Sequence, residues 1–248
     1  MTTVTFPPVL VIGARSDIGR AVAHRFAAAG HAVILAARRA SELEQDRADI
    51  SLRHGVEATL VEFDVLDTGG MADFVAQISP EPQIVVSVVG AMGDQAESES
   101  SPAAAALIMR TNYEGPALIL GLFAERMAKA GTGTIVGVSS VAGDRGRASN
   151  YIYGSAKAGF TAFLSGLRNR LADKGVHVLT VKPGFVRTKM TEGMDLPKRL
   201  TAAPEEVADA IYAAVGKRHN AIYVRPIWAL VMAVIRSIPE PIFKKTQL

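Results

Sequence analysis

The sequence predicts an α/β fold, a doubly wound parallel sheet of about seven strands with helices on both faces and a C-terminal helical tail. Three observations predict it. Short Val- and Ile-rich runs alternate with segments of helical period along the whole chain of 248 residues. No linker, low-complexity stretch or internal repeat breaks the alternation, so residues 1–248 read as one domain, with 226–248 as an amphipathic tail. Glycines and polar residues recur where the apolar runs stop, the edge at which such sheets bind ligands.

Composition narrows the function. Apolar residues make up 49% of the chain and aromatics only 6%, a balance suited to helices packed closely on a parallel sheet. The net charge of +3 comes from scattered basic residues not interleaved with aromatics. That argues against nucleic acid and for an anionic small molecule as partner. The chain has no cysteine, and its five histidines lack metal-ligand spacing, so no disulfide and no metal site are expected. No signal peptide is read at the N-terminus, and a cytoplasmic enzyme is expected. The longest apolar run, Ile227 to Ile235, is too short to span a bilayer.

Taken in order, Pro8 to Ile12 reads as a buried strand that stops at Gly13. Gly13-Ala14-Arg15-Ser16-Asp17-Ile18-Gly19 then opens a helix running to about Ala29 and closed by Gly30. Glycine permits a tight turn and close approach of backbone N–H groups to a phosphate, and the helix N-terminus favours a pyrophosphate. His31 to Ala37 is a second strand ending in Arg38-Arg39. In a dinucleotide fold an acid there would accept ribose hydroxyls, whereas arginine pairs with a 2′-phosphate. Positions 36 to 39 hold no acid, so NADP(H) is favoured over NAD(H). Ser41 to Arg53 reads as a helix with Ser41 as N-cap, Glu57 to Glu62 as a strand, and Asp64-Val65 as a rim where adenine could lie. Thr68 to Ser79 reads as a short helix, and Gln83 to Val89 as a strand ending at Gly90, whose small size lets a cofactor pass.

Ser101 to Ala130 reads as one long helix containing Asn112, a poor interior helix residue that either faces water or holds a group inside. Thr134 to Val138 is a strand ending in Ser139-Ser140, followed by a polar loop carrying Arg145 and Arg147. Either one of these arginines contacts an anionic substrate group, such as a phosphate, or they are ordinary surface charges. The next helix reaches Lys174 and holds Tyr153 and Lys157 one turn apart on one face. An ammonium beside a phenol favours the phenolate and makes a usable proton donor and acceptor. Val176 to Val181 is a strand that runs into Lys182-Pro183-Gly184, and Val186 and Thr188 follow. Thr191 to Leu200 reads as a mobile flap, with Met190 and Met194 as adaptable apolar substrate contacts. Pro204 to Val215 is a helix, and Ala221 to Val224 a last strand.

These residues together resemble the short-chain dehydrogenase/reductase family over nearly the full length. Tyr153 to Lys157 matches its YxxxK motif, Ser140 its serine, Asn112 its helix asparagine, Pro183-Gly184 its PG pair and Asp64-Val65 its pair near adenine. The resemblance implies a Rossmann-type sheet and hydride transfer between NADP(H) and a keto or hydroxyl carbon. Tyr153 would be the acid, Ser140 the carbonyl donor, and Lys157 the partner of both tyrosine and nicotinamide ribose. Asn112 would position a water, and Thr188 would contact the nicotinamide amide. It also implies a homodimer or homotetramer. Two departures stand out. Asp17 replaces a glycine of the usual TGxxxGIG turn, and Ser87 to Gly90 replaces NNAG. An inward Asp17 carboxylate would disfavour a pyrophosphate; otherwise it caps the helix. The turn, the loop Ala142 to Arg145 and the tail Val231 to Lys245 resemble the decaprenylphosphoryl-2-keto-ribose reductases. That implies a lipid-linked keto-sugar substrate. The tail, apolar with Arg236, Lys244 and Lys245 beside it, then reads either as a membrane-interface segment or as a cover for the core or a subunit interface. A soluble reductase of another ketone, such as a 3-oxoacyl thioester, and a non-catalytic dinucleotide-binding regulator are the competing readings.

Overall fold

In the computed structural model, which describes residues 6–246, seven parallel strands form the main sheet in the order β3-β2-β1-β4-β5-β6-β9. They are β1 (Phe6–Ile12), β2 (His31–Ala37), β3 (Ala58–Glu62), β4 (Ile84–Ser87), β5 (Gly133–Val138), β6 (Val176–Pro183) and β9 (Ala221–Val224). Alternation along β1 sends Val9 and Val11 to one face and Leu10 and Ile12 to the other. The first face is covered by α1 (Asp17–Ala27), α2 (Glu44–His54) and α8 (Pro204–Gly216) through Val22, Phe26, Ile50 and Ile211. The second is covered by α3 (Met71–Gln77), α6 (Gly115–Ala130) and α7 (Tyr151–Arg170) through Met71, Phe123, Phe160 and Leu164. Strand order reverses between β1 and β4, and that crevice at the carboxyl ends of the strands is where such sheets bind ligands.

Differences from the sequence expectations have local causes. Ser41 does not cap a helix: residues 40–43 form a single 3₁₀ turn, and α2 starts at Glu44. The long helix expected over 101–130 is split. Following α4 (Gln95–Ser100), α5 (Pro102–Met109) widens into a π-helical turn at Arg110–Glu114 before α6. The widening lets the Asn112 side chain reach the Ile108 carbonyl at 2.9 Å, and π turns of this kind mark functional sites. The segment expected as a mobile flap is fastened at both ends. A small parallel pair, β7 (Phe185–Val186) with β8 (Thr201–Ala202), closes it, and Arg225 donates to the carbonyls of Lys198 and Arg199.

The tail forms α9 (Ile227–Ser237) and α10 (Glu240–Phe243). Trp228 and Met232 are buried over Val141, beside Phe185 and Leu200. The Trp228 indole donates to the Leu200 carbonyl at 3.0 Å. Arg145 fastens the far end. Its guanidinium donates to the carbonyls of Ile235 and Ile238, each at 2.6 Å, pairs with Glu240 at 3.0 Å, and stacks on Phe243 at 3.6 Å. Of the two arginines expected to offer one contact to a substrate anion, Arg145 is therefore ruled out, because its donors are spent capping the end of α9. Arg145→Ala should release this end at a cost of about 2 kcal/mol, a fall in Tm of roughly 4–8 °C by calorimetry for a chain of this size. An unchanged Tm would show that the tail is held without it.

Candidate active site

Two cavities meet along the carboxyl rim and share Arg15, Ser16, Val88, Val89 and Gly90. The first, about 290 Å³, is walled by Gly13, Arg38, Asp64 and Val65. The second, about 350 Å³, is walled by Ser140, Tyr153, Lys157, Pro183, Gly184, Val186, Thr188, Met190 and Met194, with Asp17, Ile18 and Arg147. The structure thus brings nearly all the expected residues to one continuous groove. Four fall outside its walls, Arg145 on the tail among them. Gly19 packs under the turn, where an added Cβ would stand 2.6 Å from the Gly13 carbonyl. Arg39 takes a left-handed backbone (φ 52°) and turns to Glu42 at 3.2 Å. Asn112 is fully buried beneath the floor.

The candidate catalytic end is built on the first turns of α7. Lys157 is 3% exposed, and among the described residues no carboxylate pairs with it; its ammonium donates to the Val138 carbonyl at 3.1 Å. Burial pushes its pKa down to about 8. The Tyr153 phenol is pushed up by burial, while the nearby Ser140 hydroxyl pulls it the other way. The expectation that Lys157 would draw the phenol down is not what dominates here, since its nitrogen lies 5.8 Å from the Tyr153 ring centre and burial outweighs it. Tyr153 is therefore held protonated, ready to donate. Asn112 donates to the carbonyls of Ala91 (2.6 Å) and Ile108 (2.9 Å) and accepts from the Ala91 N–H. With both amide donors engaged, it fixes the exit of β4 rather than donating to a water. A Cβ at Gly90 would lie 2.9 Å from the Asn112 oxygen and 3.2 Å from the Lys157 nitrogen, so only glycine fits between them.

The nucleotide turn shows what the Asp17 departure does. Ser16, not Asp17, caps α1: its hydroxyl accepts from the Gly19 N–H at 3.0 Å. The Asp17 carboxylate instead accepts the backbone N–H of Lys189 at 2.8 Å, tying the turn to the flap across the second cavity. Arg15 pairs with Glu42 and donates to the Arg38 carbonyl. Glu62 accepts the N–H groups of Arg39 and Ala40 at 2.7 and 2.8 Å. Asp64 accepts from Leu66 N–H at 2.9 Å, which shapes the turn after β3. A dinucleotide fits this rim: Gly90 leaves a floor without a side chain, the start of α1 offers backbone N–H groups, and the two cavities are joined.

Among the wall residues that escaped the sequence reading are Trp228, Asn150 and Phe185. Trp228 carried a signal, being the chain's single tryptophan. Gly184 exists for it, since a Cβ there would stand 1.9 Å from the indole. Among the described residues, no cluster of His, Asp and Glu suited to a metal occurs.

Asp17→Gly should expose the flap, so trypsin cuts at Lys189, Lys198 or Arg199 several-fold faster than in wild type. Asp17→Asn keeps an acceptor oxygen and should cut near the wild-type rate. Equal rates in all three proteins would contradict the tie.

Comparison with known proteins agrees with the fold and the motifs. The short chain dehydrogenase family model matches residues 8–198. An uncharacterized oxidoreductase of Mycobacterium tuberculosis is 37% identical over 243 residues, covering 96% of each chain. The NADPH complex of a short-chain dehydrogenase from Sphingobium yanoikuyae superposes with a TM-score of 0.81 at 23% identity, covering 95% of this chain and 97% of that one. A variant of the actinorhodin polyketide ketoreductase with NADPH superposes with a TM-score of 0.78 at 25% identity, covering 88% and 95%. The chain belongs to the short-chain dehydrogenase family and is, with that family, a nicotinamide-dependent oxidoreductase.

Proposed function

We propose that this protein is an NADP(H)-dependent reductase of a ketone. The observation that carries the reading is the meeting of Ser140, Tyr153 and Lys157 in one cavity that opens into the dinucleotide rim. The phosphorylated cofactor is favoured because Arg38 walls the first cavity and the acids near it are spent, Glu42 on Arg15 and Arg39, Glu62 on two backbone N–H groups. The ketoreductase that binds NADPH supports the same choice.

When bound, the nicotinamide supplies the hydride. Gly13, Ser16 and Ile18 would face its phosphates, and Pro183, Gly184, Val186 and Thr188 its nicotinamide end. Tyr153 gives the carbonyl oxygen its phenolic proton, which burial keeps in place at neutral pH. Ser140 donates to the same oxygen and stabilises the charge that develops there. Lys157, still charged at neutral pH, favours the phenolate left behind. Intact Ser140, Tyr153 and Lys157 argue against a non-catalytic regulator.

The finer substrate reading is a polyprenyl-phosphoryl keto-sugar. Its support is an apolar mouth formed by Phe185, Met190, Met194 and Trp228, with Ile227, Leu230 and Val234 exposed along α9. That exposed stripe, flanked by Arg236, Lys244 and Lys245, would lie on a membrane surface from the cytoplasmic side. Among the described residues no helix is long and apolar enough to cross a membrane. The second reading, a 3-oxoacyl thioester, has the likeness to a polyketide ketoreductase in its favour. Leu107, Met109, Tyr113 and Leu118, exposed around α5 and α6, favour a homodimer or homotetramer.

Tyr153→Phe should cut ketone-dependent NADPH oxidation by about 100-fold or more while NADPH still binds in a calorimetric titration. Near-normal turnover would sink the assignment. The same assay, run with a detergent-solubilised polyprenyl-phosphoryl keto-sugar and with a 3-oxoacyl thioester, separates the two substrates.

A further inference from the structure

The second cavity contains a cation that hydride transfer does not use. Arg147 lies on its wall with Asn150, Ser140 and Tyr153. Its Nε is buried and donates to nothing among the described residues. The charged neighbours on its own loop are committed elsewhere. Asp144 pairs with Lys182 at 2.6 Å and accepts from the Tyr223 hydroxyl at 2.7 Å, while Arg145 holds the tail. Burial accordingly pushes the Arg147 guanidinium below its ordinary pKa. The Asn150 side-chain oxygen is also buried without a partner. A half-turn of that carboxamide puts its NH₂ in the same place. Two buried polar groups left unsatisfied on one wall are costly, and the cost is greatest for a cation. Two other cations of the groove do have partners: Arg15 has Glu42, and Lys157 has the Val138 carbonyl.

We propose that Arg147 and Asn150 form a subsite for an oxyanion of the substrate, a carboxylate or a phosphate, so that the preferred ketone is an anion. The planar guanidinium suits either group, and Asn150 adds a neutral donor beside it. The remainder of such a ketone would meet Met190, Met194 and Trp228 on the same wall. This inference rests on the reductase reading for its substrate, but its test does not depend on turnover.

The single tryptophan, Trp228, lines this cavity and serves as the probe. Its fluorescence is followed in the NADP⁺-saturated protein while para-acetylbenzoate, its methyl ester, or para-acetylphenyl phosphate is added. The expected result is that at least one of the two anions binds about 30-fold tighter than the ester, and that Arg147→Met removes the difference. Arg147→Lys should retain part of it. Which anion binds better identifies carboxylate or phosphate as the group read. Equal affinity for anions and ester in the wild type, or a preference that survives in Arg147→Met, would overturn the subsite. NADPH oxidation is measured on the same ketones. Oxidation without anion preference overturns the subsite alone, whereas an Arg147-dependent preference without oxidation supports the subsite and overturns the reductase reading.

Discussion

The buried ammonium of Lys157 is the constraint around which the site is built. An amine 3% exposed and without a counter-carboxylate among the described residues loses hydration that two carbonyl contacts, Val138 at 3.1 Å and Val89 at 3.5 Å, cannot replace. The fold keeps it there by packing every neighbour against it. Ser139 donates to the Lys157 backbone carbonyl at 2.9 Å. The loop after β5 lies so close that a Cβ on Gly143 would stand 2.7 Å from the Lys157 carbonyl carbon. Gly90 leaves the space between Lys157 and Asn112, and the π turn lets Asn112 hold Ala91 in place. Burial that destabilises the ammonium brings its pKa to about 8, where a small change of environment alters its charge. The same burial raises the phenol of Tyr153, so the pair is set as a neutral acid beside a labile cation.

The substrate end depends on different parts of the chain. Asp17 reaches from the nucleotide turn to Lys189, Trp228 reaches from the tail to Gly184, and Arg145 locks the end of α9. Cofactor turn, flap and tail are thereby one connected wall. A carboxylate at the position of the family's glycine is tolerable for that reason: its charge is directed to a backbone N–H of the flap.

Most of the sheet and the grouping of Ser140, Tyr153 and Lys157 in one cavity were legible because their signals are local. Val-rich runs identify strands, and Ser140, Tyr153 and Lys157 keep a spacing that a strand end and a helix face impose. What escaped was decided at long range. Arg145 and Arg147 are near-equivalent in sequence, yet one faces the tail and the other the cavity. The break of the helix at Asn112 depends on Ala91, which approaches it from another strand end. Strands of two residues, β7 and β8, are too short to leave a periodic pattern. The sequence alone also could not tell that Glu42 and Glu62 would be occupied by arginines and backbone N–H groups.

The pH dependence of kcat/KM for NADPH, at saturating ketone, tests the central role of Lys157 most directly, because it reports ionisations of the cofactor-free enzyme. Lys157 has a depressed pKa, so its charge is present below about pH 8 and lost above it. The profile should be flat near neutrality and fall as pH rises through about 8. Lys157→Arg keeps its charge there, and whatever activity it retains should lack that fall. A wild-type profile that stays flat to about pH 10, or a fall that persists unchanged in Lys157→Arg, would contradict the account.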